Sequence, residues 1–477
     1  MTPQPPNILW ICTDQQRHDT IHALGNGAIR TPNLDRLAAE GVAFTRAYCQ
    51  SPVCTPSRAS FLTGRYPGNV GVHRNGNAYF PADVELVTKR FADAGYDCGL
   101  VGKLHLAAAD GRIEPRVEDG YRLFRWSHAP KPRPGWPPEA HAYHQWLLEQ
   151  GVDWDTAYGG DAADGWRIQG EYRPGIAARY HQNTWCAQEA VAFMGEPRQG
   201  PWLLSVNPFD PHPPLDPAPE YWARMDREAM PLPIWCEGEE EQQRLFRGVD
   251  HQTTTPTPPD AYDARGMVAA YYAQIEHLDH EVGRMLAALE ATGQRERTVV
   301  VFTSDHGEML GDHGLRLKGC RFYEGAVHVP LILSWPGHFE SGLVSDALVE
   351  LVDLAPTLLD AAALPVPPEV QGWSLYPLLV GRGNPHSHRP FVRCEYHDAL
   401  ALPHASHANM LYDGRYKLVA YHGQDIGELY DLQEDPDECH NLWFAPEHAA
   451  RKLALLQQLF DAVMLATNPG QPRVGGY

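Results

Sequence analysis

Short apolar runs that end in polar residues recur along this chain, and several are separated by helical patterns. Asn7–Thr13 (NILWICT) is rich in strand formers and stops at Asp14-Gln15-Gln16-Arg17. Comparable runs stand at residues 98–101 (CGLV), Trp202–Asn207 (WLLSVN), 298–303 (TVVVFT) and 329–335 (VPLILSW). Because they are apolar throughout rather than alternating, they read as strands buried on both faces. The clearest helical pattern covers 267–289, where Met267, Tyr271, Ile275, Leu278, Val282, Met285, Leu286 and Leu289 follow three- and four-residue steps and Gly293 supplies a stop. Residues 33–37 and 83–94 give shorter examples. Strands alternating with helices predict an α/β fold with a mostly parallel sheet flanked by helices. Such sheets hold ligands beyond the carboxyl ends of their strands, so Asp14, Asn207 and Asp305 are expected to meet in one cleft.

Residues 109–175 are dense in Trp, Tyr, Pro, Gly and His with little periodicity, and read as long loops that could wall a substrate site. After Pro365-Val366-Pro367-Pro368 the pattern changes. Residues 410–421 (MLYDGRYKLVAY) place Asp413-Gly414 between strand-like residues, a hairpin signal, and 428–432 adds another strand-like segment. Ala449–Leu465 reads as a terminal amphipathic helix. The expected division is a large α/β domain at 1–375 and a smaller α+β subdomain, antiparallel sheet plus helix, at 376–477.

With 477 residues the chain can bury a large core, and 43% hydrophobic residues exclude wholesale disorder. Lys and Arg number 39 against 60 Asp and Glu, a formal charge of −21. Without clustered basic residues to neutralise phosphates, a nucleic-acid partner is excluded, while a local cationic pocket for an anionic substrate is not. No apolar run approaches the roughly 18 residues of a spanning helix, so no membrane partner is expected. The first residues are polar and proline-rich, and 8–12 is too short and unflanked by basic residues for a signal sequence, which predicts a cytoplasmic protein. Nine cysteines, odd in number, scattered and without a CxxC pair, predict mostly reduced thiols and neither a disulfide framework nor a structural zinc site. The sequence leaves monomer and homo-oligomer both open.

Cys54-Thr55-Pro56-Ser57-Arg58 precedes Ala59-Ser60-Phe61-Leu62-Thr63-Gly64. Thr55 can cap a helix, Pro56 fits its first position, and Gly64 can close it. Cys54 would then sit at the positive end of the helix, where unpaired N–H groups stabilise an anion, with Arg58 adding a fixed charge one turn on.

CTPSR followed by LTGR resembles the signature of the type I sulfatases of the alkaline phosphatase superfamily, in which the motif's cysteine is oxidised to formylglycine by a dedicated formylglycine-generating enzyme. The resemblance extends to Asn33-Leu34-Asp35-Arg36-Leu37 with Gly41-Val42, to Val101-Gly102-Lys103-Leu104-His105, to Thr303-Ser304-Asp305-His306-Gly307, and to Glu428-Leu429-Tyr430-Asp431-Leu432 with Asp435-Pro436. It spans nearly the whole chain, although 109–175 and the region around 225–262 carry no motif of the family. It implies an alkaline-phosphatase-like fold and hydrolysis of a small-molecule sulfate ester, aryl, alkyl or carbohydrate, to an alcohol or phenol plus sulfate. The chemistry of the modification follows from its atoms. An aldehyde hydrate carries two hydroxyls on one carbon, one to attack sulfur and one to lose its proton and expel sulfate, whereas serine could perform only the first half.

The resemblance also implies that Asp14, Gln15, Asp305 and His306, with an oxygen of modified Cys54, hold one divalent cation, calcium or manganese. In the family the first strand ends in two adjacent aspartates; here the second is Gln15, which removes one anionic ligand, and His306 shifts the preference from calcium toward manganese. The Asp-Gln and Asp-His combination is similar to that of the phosphonate monoester hydrolases, so a phosphonate monoesterase or phosphodiesterase is the alternative. Ser57 and the Lys103/His105 pair favour sulfate. A catalytically silent metal-binding or interaction protein is a third reading, disfavoured because it would have no use for so many separate catalytic positions.

Lys103 and His105, two apart on an expected extended segment, point to one side. The resemblance gives Arg58, Lys103 and Lys318 the sulfuryl charge, His105 the second hydroxyl of the modified residue, and His212 the leaving group together with Lys318. His212 lies in Phe209-Asp210-Pro211-His212-Pro213-Pro214, where flanking prolines stiffen the turn, and Lys318 in Leu315-Arg316-Leu317-Lys318-Gly319. His128, His141, His144, His181, His404 and His407 have no ligand spacing and read mostly as surface residues, some of them available for substrate selection.

Overall fold

The computed structural model describes residues 5–109, 111–130, 135–158, 172–173, 175–401 and 405–467. Its larger sheet contains β1 (Asn7–Thr13), β2 (Val42–Tyr48), β3 (Asp97–Gly102), β4 (Leu123–Trp126), β5 (Trp202–Asn207), β6 (Thr298–Ser304), β7 (His328–Ser334), β8 (Leu343–Ser345) and β9 (Val349–Glu350). The strand order is β4-β3-β5-β1-β6-β7-β2-β8, with β9 also on β2. Only β7 runs against its neighbours β6 and β2. The sheet is thus mostly parallel, as the apolar runs imply.

Successive side chains of β1 explain its unbroken apolar character. Ile8, Trp10 and Cys12 join the core on one face, Leu9 and Ile11 the core on the other. The helix Cys54–Thr63 covers the first face, where Phe61 meets Trp10 at 5.5 Å between ring centroids. The helices Gln182–Gly195 and Ala264–Ala291 cover the second through Trp185, Phe193, Val282, Met285 and Leu286. β2 escapes the sequence pattern because its register shifts between Phe44 and Ala47, where Thr45 and Arg46 are only half-buried.

A second, antiparallel sheet holds β10 (Val392–His397), β11 (His407–Tyr412), β12 (Tyr416–Tyr421) and β13 (Gly427–Asp431) in sequential order. Asp413-Gly414 makes the expected turn between β11 and β12, with Gly414 at φ 96° and the Asp413 carboxylate accepting the Tyr416 N–H at 2.7 Å. Leu455 and Leu459 of the helix Ala449–Leu465 pack on Leu411, Leu418 and Leu429.

Several expectations need correction. The 109–175 segment is not loop alone: it contains β4 and the helix Ala142–Glu149, while 159–171 lies outside the described residues. His141 and His181 are buried rather than on the surface, each accepting a backbone N–H at the start of a helix. His404 lies outside the described residues. Seven cysteines are free, as expected, but Cys236 and Cys439 form a disulfide across 203 residues of sequence.

Buried ion pairs fasten the small sheet to the segment that follows β6. Arg321 bonds Glu428 of β13 at 2.6 Å, and Lys417 of β12 reaches Glu324 at 2.9 Å and also pairs with Glu438. Burial, with Glu324 adding to it, pushes the Glu438 carboxyl up to about 7 even against the Lys417 charge. Removing the cation from such a pair leaves uncompensated buried carboxylates, so Lys417→Met should cost about 3–5 kcal/mol near neutral pH. A carboxyl whose folded pKa is raised binds its proton more tightly in the native state, so stability falls as pH rises through that pKa and recovers on acidification. In urea titrations the deficit of Lys417→Met should therefore shrink between pH 8 and pH 5; a pH-independent deficit would contradict the buried-carboxylate account.

Candidate active site

The centre of the site is set by strand register. Thr13 pairs with Ser304, and the Asp305 N–H donates to Thr13 O at 3.2 Å, so Asp14 and Asp305 leave β1 and β6 side by side. Both are wholly buried. Gln15, at φ 68°, turns its N–H to Asp305 Oδ1 at 3.0 Å, while Tyr271 of the long helix donates to Gln15 O at 2.6 Å. Asn207, expected in the same cleft, serves Lys103 instead: its Nδ2 donates to Lys103 O at 2.8 Å and its carbonyl accepts the Lys103 N–H at 2.9 Å. Gly102 permits that approach, since a Cβ there would lie 2.0 Å from Asn207 O.

Cys54 is the first residue of its helix, and Val53, not Thr55, precedes it as the cap residue without a side-chain bond. Pro56 is accordingly the third residue, still among positions whose N–H has no intrahelical partner. The Thr55 N–H is met by Asn75 Oδ1 at 2.9 Å, and Gly64 closes the helix at φ 69°, as expected. Ser57 Oγ donates to Asp305 O at 2.5 Å. Arg58 donates from Nε to Asp305 Oδ2 at 2.8 Å, while its buried Nη2 lies 3.6 Å from Asp14 and makes no hydrogen bond. The Cys54 sulfur stands 3.1 Å from His306 Nε2, 3.1 Å from Lys318 Nζ and 3.8 Å from Asp14 Oδ1. Burial opposes ionisation of this thiol, but Lys103 and Lys318 outweigh it and hold its pKa well below the usual thiol value. The Asp14 carboxyl is likewise held well below its ordinary range, against burial, chiefly by Lys103, whose ammonium bonds it directly.

Lys103 and His105 do not lie on an extended strand, because β3 ends at Gly102 and His105 sits at φ 58°. The turn is held by Glu114, a buried carboxylate that accepts the N–H groups of His105 at 2.9 Å, Leu106 at 2.5 Å and Ala107 at 3.1 Å. His105 is buried with Nδ1 unpaired, and burial together with Lys103 pushes its pKa well down. His128 packs edge-on against it at 4.4 Å.

Lys318 closes the opposite side. Its Nζ meets Gln15 Oε1 at 2.5 Å and His212 Nε2 at 2.8 Å. His212 directs Nδ1 at Pro213 O at 2.6 Å, which leaves Nε2 as the acceptor for Lys318. Burial and the Lys318 charge hold the His212 pKa well below the imidazole norm. The Lys318 loop is gathered by Glu308, which accepts from Gln15 Nε2, from Leu310 N at 2.9 Å and from Leu317 N. Lys318 is only half-buried, and His212 and His105 are 8% and 7% exposed against 0–1% for Asp14, Cys54 and Asp305, so these three mark the mouth of the site.

Glu308, Glu114 and Asn75 carry no signal picked out in the sequence, Tyr271 is legible there only as part of the 267–289 helical pattern, and His128 only as one of several histidines without ligand spacing. Glu308 directly follows the Asp-His-Gly motif and could have been read with it. Glu114 lies in an aperiodic segment with no local signal, and His128 is one histidine among many.

The donor set fits a divalent cation. One ligand atom each of Asp14, Cys54, Asp305 and His306 lies within 4.8 Å of the others, all buried. His306 Nδ1 is engaged by Gly307 O at 2.8 Å, which turns Nε2 toward the group, the arrangement that orients metal-binding imidazoles. Gln15 spends its amide nitrogen on Glu308, leaving its oxygen on the Lys318 side. Two carboxylates and one imidazole beside the Cys54 sulfur make a donor set able to take a divalent cation.

The sulfatase family model matches residues 6–364, and a model for the C-terminal region of N-sulphoglucosamine sulphohydrolase matches 311–464. An arylsulfatase of Clostridium perfringens is 31% identical over 94% of this chain and 92% of its own length. A choline-sulfatase of Rhizobium meliloti is 30% identical over 93% of this chain and 83% of its own. Among solved structures, the phosphonate monoester hydrolase of Agrobacterium radiobacter superposes with a TM-score of 0.81 at 28% identity, covering 97% of this chain and 96% of that one. With the strands, the Cys54 helix and the charged cleft arranged as described, the chain belongs to the sulfatase family, sulfuric ester hydrolases of the alkaline phosphatase superfamily.

Proposed function

We propose that the chain hydrolyses a sulfate monoester through formylglycine formed at Cys54 beside one divalent ion held by Asp14, Gln15, Asp305, His306 and an oxygen of residue 54. The observation that carries this reading is the position of the Cys54 sulfur, which stands where the reactive oxygens of the modified residue would stand: at a helix start, 3.1 Å from both His306 Nε2 and Lys318 Nζ. A bound divalent ion supplies Lewis-acid charge beside the nucleophile and the transferring group.

The side chains divide the remaining work. Arg58 Nη2, a buried donor that makes no hydrogen bond and lies 3.6 Å from Asp14, is available to a sulfuryl oxygen, and Lys103 and Lys318 add two further cations around it. Preorganised donors of this kind are each worth about 10²–10³ in rate. His105 is held neutral with an unpaired ring nitrogen, so it can accept the proton of the second hydroxyl when sulfate is expelled. His212 is also held neutral, so the proton passed to the leaving oxygen is the one shared along Lys318 Nζ–H···Nε2 of His212. His306 favours manganese over calcium in the cation site.

In active protein, the peptide containing residue 54 should carry an aldehyde in place of the thiol by mass spectrometry. Cys54→Ala should lose about 10⁴-fold or more of kcat/KM with an unchanged melting curve. Full activity with an intact thiol would overturn the proposed nucleophile.

The His212–Lys318 assignment has its own signature. A group that protonates the leaving oxygen matters most when that oxygen is basic, so His212→Ala and Lys318→Ala should lose about 10²–10⁴-fold with an alkyl sulfate and far less with a nitrophenyl sulfate. Equal losses on both esters would assign the pair to binding alone.

A second reading, phosphonate monoester or phosphodiester hydrolysis, is favoured by Gln15 and His306 together with the likeness to the phosphonate monoester hydrolase. On the sulfatase reading, kcat/KM for an aryl sulfate exceeds that for the matched aryl phosphonate monoester, and the reverse order would install the alternative. A sulfate-release screen across aryl, alkyl and carbohydrate esters then defines the alcohol.

A further inference from the structure

We propose that Cys236, Glu239, His313 and Cys439 form a second metal site, suited to zinc, that assembles when the Cys236–Cys439 disulfide is reduced and replaces it as the fastening of the Lys318 loop. One ligand atom each of Cys236, Glu239 and His313 lies within 4.8 Å of the others, and Cys439 is bonded to Cys236 with their Cα atoms 5.6 Å apart. In a tetrahedral zinc site with bonds of about 2.0–2.3 Å, ligand atoms stand roughly 3.3–3.8 Å from one another. Cys236, Glu239 and His313 therefore need to draw together by at most about an ångström, while the Cys439 sulfur parts from that of Cys236 to take the fourth position.

The surroundings hold these donors in place. Glu239 begins the helix Glu239–Arg244, its Oε1 takes Gln243 Nε2 at 2.7 Å, and its Oε2 faces His313 Nδ1 at 2.9 Å. The His313 ring stacks on Tyr323 at 3.9 Å, and Gln243 is itself tied to Tyr323 Oη at 2.8 Å and to Arg321 at 2.8 Å. His313 and Asp312 are also joined to the segment before Cys236, through His313 N to Ile234 O at 2.7 Å and Ile234 N to Asp312 Oδ1 at 2.8 Å. Carboxylate, amide and ring partners that orient metal ligands have this character.

A disulfide sulfur is a poor ligand and a thiolate a strong one, so oxidation state decides whether the site exists. A dithiol reductant delivers two electrons and two protons, the S–S bond breaks to two thiols, and the reductant leaves as its own disulfide. A divalent ion then displaces the two thiol protons and takes two thiolates, the imidazole and the carboxylate, replacing the His313–Glu239 hydrogen bond. Two sulfurs and a nitrogen select zinc over calcium or magnesium, unlike the oxygen-rich set at Asp14 and Asp305. Cys236 and Cys439 are both partly exposed, which gives a reductant access. His313 stands on the Glu308–Lys318 loop, so either closure fixes the segment that carries Lys318.

Cobalt(II) is the probe, because thiolate ligation gives it sulfur-to-metal charge-transfer absorption. In full-length Cys54→Ala protein, where residue 54 contributes no sulfur, the reduced form should develop that absorption at one equivalent of cobalt and lose it to zinc. The oxidised form should not develop it. Cys236→Ser/Cys439→Ser should lack it with an unchanged circular dichroism spectrum, and Gln243→Ala should weaken the affinity about 10–100-fold. Absence of the band in folded reduced protein would overturn the proposal, as would its survival in the double serine variant. Unfolding on reduction that zinc does not reverse would overturn it too.

Discussion

Asp14 and Asp305 are forced together because β1 and β6 are adjacent and in register at Thr13 and Ser304. Two carboxylates at the dry end of a sheet cannot both stay ionised without cations around them. The neighbourhood supplies them from separate parts of the chain: Arg58 from a helix, Lys103 from the turn after β3, and Lys318 from a loop beyond β6. Each is built in by its own support, Ser57 under Asp305, Asn207 and Gly102 under Lys103, and Glu308 under the Lys318 loop. The charge balance of the cleft is therefore what the surrounding fold serves. Three cations against two carboxylates leave the cleft one positive charge in excess, and a divalent ion would add to it, so the cleft suits an anionic substrate.

The small antiparallel sheet takes part in this arrangement although none of its residues enters the cleft's charged centre. Arg321 and Glu324 lie just past Lys318 and are held by Glu428 and Lys417 of β13 and β12, and the Cys236–Cys439 disulfide ties the same region from another side. Within the loop itself Leu310, Gly311, His313, Gly314 and Leu317 all have positive φ. For the non-glycine members that conformation is costly, so the loop depends on its anchors. The position of Lys318 Nζ thus rests on contacts with segments far from it in sequence, Glu428 and Lys417 among them.

The part of the fold that is legible in the sequence follows from periodicity. Asn7–Thr13, Trp202–Asn207 and Ala449–Leu465 have the bounds their apolar patterns suggest, because each is decided by burial along a regular element. β2 and β10 escape the pattern: a register shift breaks the first, and Val392–His397 mixes Arg, Glu and His into a buried strand, where Arg393 and Glu395 pair with each other at 3.0 Å. The site shows the same division. Asp14, Cys54, Lys103, Asp305, His306 and Lys318 stand in local motifs, so their types and spacing could be weighed directly, and the structure brings them together. The capping role given to Thr55 and the extended form given to Lys103–His105 fail for one reason: each segment is held by a partner outside its own motif, Asn75 for the first and Glu114 for the second.

Charge does not separate the two reactions considered for this cleft. A sulfate monoester, a phosphonate monoester and a phosphodiester each bring a tetrahedral centre with one negative charge, so Arg58, Lys103 and Lys318 would attract all of them by the same Coulomb term. Discrimination has to come from groups that respond to how charge is divided in the transition state. If sulfuryl transfer leaves more charge on the departing oxygen and less on the equatorial oxygens, it draws more on Lys318 and His212 and less on the cation. Replacing an aspartate by Gln15 lowers the anionic charge next to that cation and raises its pull on the equatorial oxygens, which favours phosphorus. On the proposed mechanism the Lys103–His105 turn acts in the opposite sense, since Lys103 would neutralise the sulfuryl group and His105 would take the proton as sulfate leaves residue 54. The chain combines both features, and on this reading its preference is set by the contest between Gln15 on one side of the nucleophile and the Lys103–His105 turn on the other.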